Sequence, residues 1–111
     1  MDLYEYAEQA TAWLDNHNGH NELQQTLRIL KVAEEAGEAA QKWINHLNAN
    51  PRRRGLPPSI EEVGDELGDV VGTALVAIAS LGLNPEEYVQ RHLRKAEERF
   101  LSERVDTHGT R

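Results

Sequence analysis

A chain of 111 residues fills one domain and is too short for two, and at this size stability is marginal unless subunits share a core. Its 19 Asp plus Glu against 12 Lys plus Arg give a formal charge of -7, a balance that repels duplex phosphates and speaks against a nucleic-acid partner. The absence of cysteine excludes a disulfide framework, thiolate metal sites and thiol nucleophiles.

The opening Met1-Asp2-Leu3-Tyr4-Glu5 has neither the basic start nor the apolar run of a signal peptide, so a cytoplasmic protein is expected. A first helix is predicted over about residues 3–14, with Leu3, Tyr6, Ala10, Trp13 and Leu14 on one side, stopping before Asn16-His17-Asn18-Gly19. Asn21 then caps a second helix over 22–47, with Gln24 three residues on. Its apolar stripe, Leu23, Leu27, Leu30, Gly37, Ala40, Ile44 and Leu47, is assigned to the core. Residues 50–58 hold three prolines and Arg52-Arg53-Arg54, which forbid helix and reverse the chain.

Ser59, with Glu62 three residues later, opens a third helix over 60–81, ended by Gly82. Its run 70–83 is interrupted by Gly72, Thr73, Ser80 and Gly82 and is shorter than the ~20 residues a membrane span needs, so no membrane is expected. The run is also too apolar all round for a helix with one wet face, which places it between subunits of a homodimer or homotetramer. Asn84 caps a fourth helix with Pro85 in its first turn, running to about 104. The prediction is an all-α fold: an antiparallel bundle of about four helices over 1–104, its core shared between subunits, and a loose polar tail over 105–111.

Acidic residues gather on the two middle helices. Glu34, Glu35 and Glu38 flank the apolar stripe of the second, and Glu66 and Asp69 flank Val63, Leu67, Val70 and Ala74 of the third. If these helices pack antiparallel, Glu35, Glu38, Glu66 and Asp69 converge, and four carboxylates at one seam need a compensating cation. Hard oxygen donors without Cys or a Glu-x-x-His pattern select Mg²⁺, or Mn²⁺, over zinc or a di-iron centre. The competing reading is a pair of solvated faces in which Lys31 and Lys42 partner Glu35 and Glu38; two strips beside core positions favour the metal.

Glu34-Glu35-Ala36-Gly37-Glu38, followed after 27 residues by Glu66-Leu67-Gly68-Asp69, resembles the hallmark of the all-α nucleoside triphosphate pyrophosphohydrolases, the MazG-like enzymes. Lys95-Ala96-Glu97-Glu98-Arg99-Phe100 is similar to their basic segment near the C-terminus. The resemblance implies metal ligation by Glu35, Glu38, Glu66 and Asp69. It also implies that Glu34 orients or deprotonates the attacking water, and that nucleoside monophosphate and pyrophosphate are released. Lys95 and Arg99 are then phosphate contacts, against a reading in which Glu98 and Glu103 pair with them on a wet face. Trp13 or Trp43 offers the flat apolar surface a nucleobase needs. Two alternatives accompany a nucleoside triphosphate substrate: hydrolysis of phosphoribosyl-ATP, and a non-catalytic helical protein that binds nucleotide or a partner chain.

Overall fold

The computed structural model describes residues 1–48, 52 and 55–110, with 104–110 described by backbone alone. Four helices and no strands occur among them: α1 (Leu3–Asn18), α2 (Glu22–His46), α3 (Ile60–Ser80) and α4 (Pro85–Thr110). Each start is fixed by a side-chain oxygen that satisfies a free amide of the first turn. Asn21 Oδ1 accepts from the Gln24 amide at 2.9 Å. Ser59 and Glu62 form a reciprocal capping box, with 3.2 Å in both directions. Asn84 Oδ1 takes the Glu86 amide at 3.0 Å, and Asp2, which sequence reading passed over, takes the Glu5 amide at 2.8 Å.

Two helices run longer than expected. α1 continues through Asn16 and His17 because the His17 ring donates to the Trp13 carbonyl within the last turn, and Gly19, at φ +85, closes it with a bond to the Asp15 carbonyl. α4 passes its expected end near residue 104 and reaches Thr110, since no Gly or Pro interrupts it between Pro85 and Gly109.

Cross-helix bonds give the directions. Gln25, at the start of α2, donates to the Ser80 carbonyl at the end of α3, whereas Lys42, near the end of α2, lies 3.9 Å from Glu66 near the start of α3. The two helices are therefore antiparallel. α1 runs alongside α3 in the same sense: Tyr6 lies against Gly72, and the Thr11 hydroxyl donates to the Val76 carbonyl. The result is an up-down-up unit of α1, α2 and α3 in which Ala7, Ala39, Val63, Leu75, Val76 and Ala77 are buried.

The fourth helix joins them at its start, where Pro85 is buried and Tyr88 and Val89 are half-buried. α4 leaves α3 at a bend of 117°, and from residue 90 to 103 only Ala96 is other than exposed. The radius of gyration is 18.4 Å, against about 13 Å for a compact domain of this length.

The apolar stripe of α2 does not face α3. Leu23, Leu27, Leu30, Ile44 and Leu47 are exposed in the single chain. Facing α3 instead are Gln25 and Lys42, on the row that also holds the buried Arg28 and Ala39 and half-buried Val32 and Glu35. On α3, Leu67 and Val71 are likewise open to water. No single helix among the described residues is long and apolar enough to cross a membrane.

Candidate metal centre and adjoining cleft

The α2–α3 seam brings three carboxylates together. Oxygens of Glu35, Glu38 and Glu66 all lie within 4.8 Å of one another, because Glu35 and Glu38 occupy successive turns of α2 and the antiparallel register sets Glu66 opposite them. Octahedral Mg²⁺, with bonds of 2.0–2.1 Å, holds its ligand oxygens about 2.9 to 4.2 Å apart. The three donors fit such an ion with small side-chain adjustments, and as hard anionic oxygens they fit its chemistry.

The charge balance of the seam is incomplete. Lys31 Nζ lies 3.4 Å from Glu34 and 3.5 Å from Glu35, and Lys42 reaches Glu66 rather than Glu38. Among the described residues no ion pair is made by Glu38. The charge of Glu35 foremost, then loss of hydration and the charges of Glu66 and Glu34, push the Glu38 carboxyl above its ordinary range, with Lys31 opposing. The Glu34 carboxylate, with Glu35 behind it, holds the Lys31 ammonium above its own.

Asp69, the fourth expected ligand, lies outside the three-carboxylate group. It lines an adjacent hollow with Glu35, Tyr6 and Thr73, one turn along α3 from Glu66, so it and the cluster share Glu35 as a common wall. Glu34 is also outside the group, more than half exposed and paired with Lys31. Lys95 and Arg99 are exposed on α4, line neither hollow, and make no ion pair among the described residues. Arg53 and Arg54 lie outside the described residues.

A larger cleft of about 580 Å³ opens between α1 and α2, lined by Tyr6, Trp13, Leu14 and Leu27 with Asn18, Gln24, Arg28, Lys31 and Thr73 among its polar groups. Tyr6 and Thr73 border both the cleft and the Asp69 hollow, so the two spaces adjoin. Trp13 is 59% exposed and is held flat by stacking on His17, with ring centroids 4.0 Å apart. Trp43 stacks on His46 and does not line the cleft.

Arg28 is the residue that sequence reading missed. It is 7% exposed, and its guanidinium donates to Asp15, to the Gly19 carbonyl and to Ser80, tying the α1–α2 turn to the end of α3. Its bond to Asp15, with His20 adding to it and burial opposing, holds that carboxyl below its usual range. The available signal was the row Gln25, Arg28, Val32, Glu35, Ala39 and Lys42, a second helical face mixed in polarity beside the apolar one.

Compared with family models, with curated proteins and with solved structures, the chain matches none.

Proposed function

We propose that this chain is a Mg²⁺-dependent nucleoside triphosphate pyrophosphohydrolase, converting a nucleoside triphosphate and water to nucleoside monophosphate and pyrophosphate. The observation that carries this reading is the meeting of Glu35, Glu38 and Glu66 within 4.8 Å, beside an apolar cleft whose volume suits a nucleoside. The ordered motifs Glu34 to Glu38, Glu66 to Asp69 and Lys95 to Phe100, with their resemblance to MazG-like enzymes, supply the reaction class.

Glu35, Glu38 and Glu66 would hold the divalent cation, with Asp69, which lines a hollow together with Glu35, as the further ligand. The bound cation supplies neutralisation of the triphosphate and activation of water. Trp13 would offer its exposed ring to the base in the cleft that Tyr6 and Leu27 also line. Lys31, which lines the cleft, would offer its ammonium to the phosphates. Glu34, exposed one residue before Glu35, accepts the proton of the attacking water. Lys95 and Arg99 stabilise charge on the departing pyrophosphate.

The working form is a homo-oligomer, a dimer or a dimer of dimers, in the cytoplasm. Support for assembly comes from the exposed Leu23, Leu27, Leu30, Leu67 and Val71 and from the open outline of the single chain. The test of function is a screen of canonical and modified nucleoside triphosphates with Mg²⁺ and detection of pyrophosphate. Turnover of at least one triphosphate that stops on removal of the metal supports the reading; no turnover across the panel refutes it.

A further inference from the structure

The buried guanidinium of Arg28 is not fully matched. Its Nη1 donates to Asp15 and Ser80 and its Nη2 to the Gly19 carbonyl, but Nε is buried without a hydrogen-bond partner, the one such side-chain atom among the described residues. An N–H shut away from water without an acceptor is costly, and native folds seldom carry one without a reason. Arg28 is also part of the wall of the Trp13 cleft.

The cleft has a direction. Its Asn18 and Gln24 end lies at the α1–α2 turn, to which the Arg28 guanidinium reaches through its bond to Gly19. Its Lys31 and Thr73 end lies toward the hollow of Glu35 and Asp69, which Thr73 also lines. Gln24 and Lys31 are two turns apart, about 10 Å along α2. A nucleotide with its phosphates at the acidic seam and its base on Trp13 therefore turns the ring edge opposite the sugar toward Asn18, Gln24 and Arg28. That edge carries an oxo group in guanine, hypoxanthine, uracil and thymine, and an amino group in adenine and cytosine. The carboxamides of Asn18 and Gln24 serve either edge by turning over, whereas an arginine has only donors and matches the oxo edge alone.

We propose that Arg28 selects the base, and that the cleft takes nucleotides of 6-oxopurines and 4-oxopyrimidines in preference to those of adenine and cytosine, the exocyclic oxygen receiving the Nε–H that the fold leaves unmatched. This rests on the pyrophosphohydrolase reading for placing the phosphates at the acidic seam; the unmatched donor and the direction of the cleft do not depend on it.

Inosine and adenosine monophosphates decide it, because they differ in this edge, oxo against amino, and hold no anhydride bond for a pyrophosphohydrolase to cleave. In calorimetric titrations with Mg²⁺ the inosine nucleotide should bind at least about tenfold more tightly, the scale of one buried donor left unmatched. In wild-type protein labelled with nitrogen-15, the Arg28 Nε–H resonance should move downfield with the inosine nucleotide and hardly at all with the adenosine nucleotide. Arg28→Lys keeps a cation for Asp15 but has no Nε–H, so the folded variant should bind the two alike. Equal affinities in wild type, tighter binding of the adenosine nucleotide, no binding of either at millimolar concentration, or an Arg28 resonance indifferent to the inosine nucleotide overturns the proposal. Triphosphates that bind and are never hydrolysed refute the pyrophosphohydrolase reading instead, and the monophosphate titration still decides what Arg28 selects.

Discussion

Glu38 and Glu66 face one another across the α2–α3 seam with carboxylate oxygens within 4.8 Å, and only Glu66 of the two has a lysine beside it, Lys42 at 3.9 Å. The fold therefore holds more negative charge at this point than its own cations offset. Such a seam is costly unless a cation compensates it.

The first prediction concerns pH. The folded Glu38 carboxyl is raised above its ordinary value of 4.5, chiefly by Glu35, so between 4.5 and the raised value the folded chain binds more protons than the unfolded one. Stability of the metal-free protein should fall as pH rises through that window, and added Mg²⁺ should restore it at neutral pH. Glu38→Gln should flatten the pH dependence and raise the neutral-pH melting temperature without metal. Thermal melts across the acid-to-neutral range, with and without Mg²⁺, check this; identical profiles for wild type and variant would count against it.

The second concerns Arg28 and Asp15. Asp15→Ala leaves a buried guanidinium without its anionic partner, and a loss of about 3 kcal/mol is expected, at the lower end for breaking a buried pair. Arg28→Met removes the buried charge itself and should cost less, since Asp15 keeps access to water and to His20. Asp15 also adds a pH term of opposite sign to that of Glu38. Its folded value is lowered, so its stabilisation is present above the ordinary carboxylate range and is lost as pH falls through the lowered value. Urea unfolding of the two variants, followed by circular dichroism, gives the order directly; Arg28→Met less stable than Asp15→Ala would contradict it.

How much of this was legible in the sequence follows from what each signal reports. The caps at Asn21, Ser59 and Asn84 are local, each settled within a few residues, and the helix starts agree with them. Convergence of Glu35, Glu38 and Glu66 needed only the antiparallel pairing of two such helices. The stripe of Leu23, Leu27 and Leu30 does not face α3, because periodicity marks a face that avoids water and does not say what covers it. The mixed face holding Arg28 was passed over because long cationic side chains are seldom fully enclosed unless paired, and its partner Asp15 lies on a different helix. The course of α4 depends on the turn at Gly82 to Asn84, where several directions satisfy the same residues.

The third prediction concerns the cleft. Trp13→Ala should raise KM about tenfold with kcat little changed, consistent with the roughly 1 to 3 kcal/mol that base stacking contributes. Its melting temperature should hardly move, because Trp13 is 59% exposed. Trp43→Ala should leave KM near wild type, since that ring does not line the cleft. Steady-state kinetics on the pair separates the two tryptophans, and equal effects would remove Trp13 from the site.

The fourth concerns phosphate. Lys95→Ala should raise KM and lower kcat, together costing about 2 to 4 kcal/mol in kcat/KM, as for loss of one charge-stabilising donor. Mg²⁺ affinity of the free protein should be unchanged, because an ammonium is not a ligand. Kinetics with metal binding measured separately by calorimetry tests both halves; kcat/KM within twofold of wild type places Lys95 on a solvated face.

The proposed role of the Glu35, Glu38 and Glu66 seam as the metal centre of a triphosphate-hydrolysing enzyme is tested by pyrophosphate release by wild type and Glu38→Gln on the same triphosphates with Mg²⁺. The substitution keeps the shape of the side chain and removes its charge, so helicity should be intact. Metal-dependent release by wild type and a loss of at least about a hundredfold in the variant are expected, on the scale of losing an electrostatic stabiliser from an active site. Turnover by Glu38→Gln equal to wild type would contradict the proposed role.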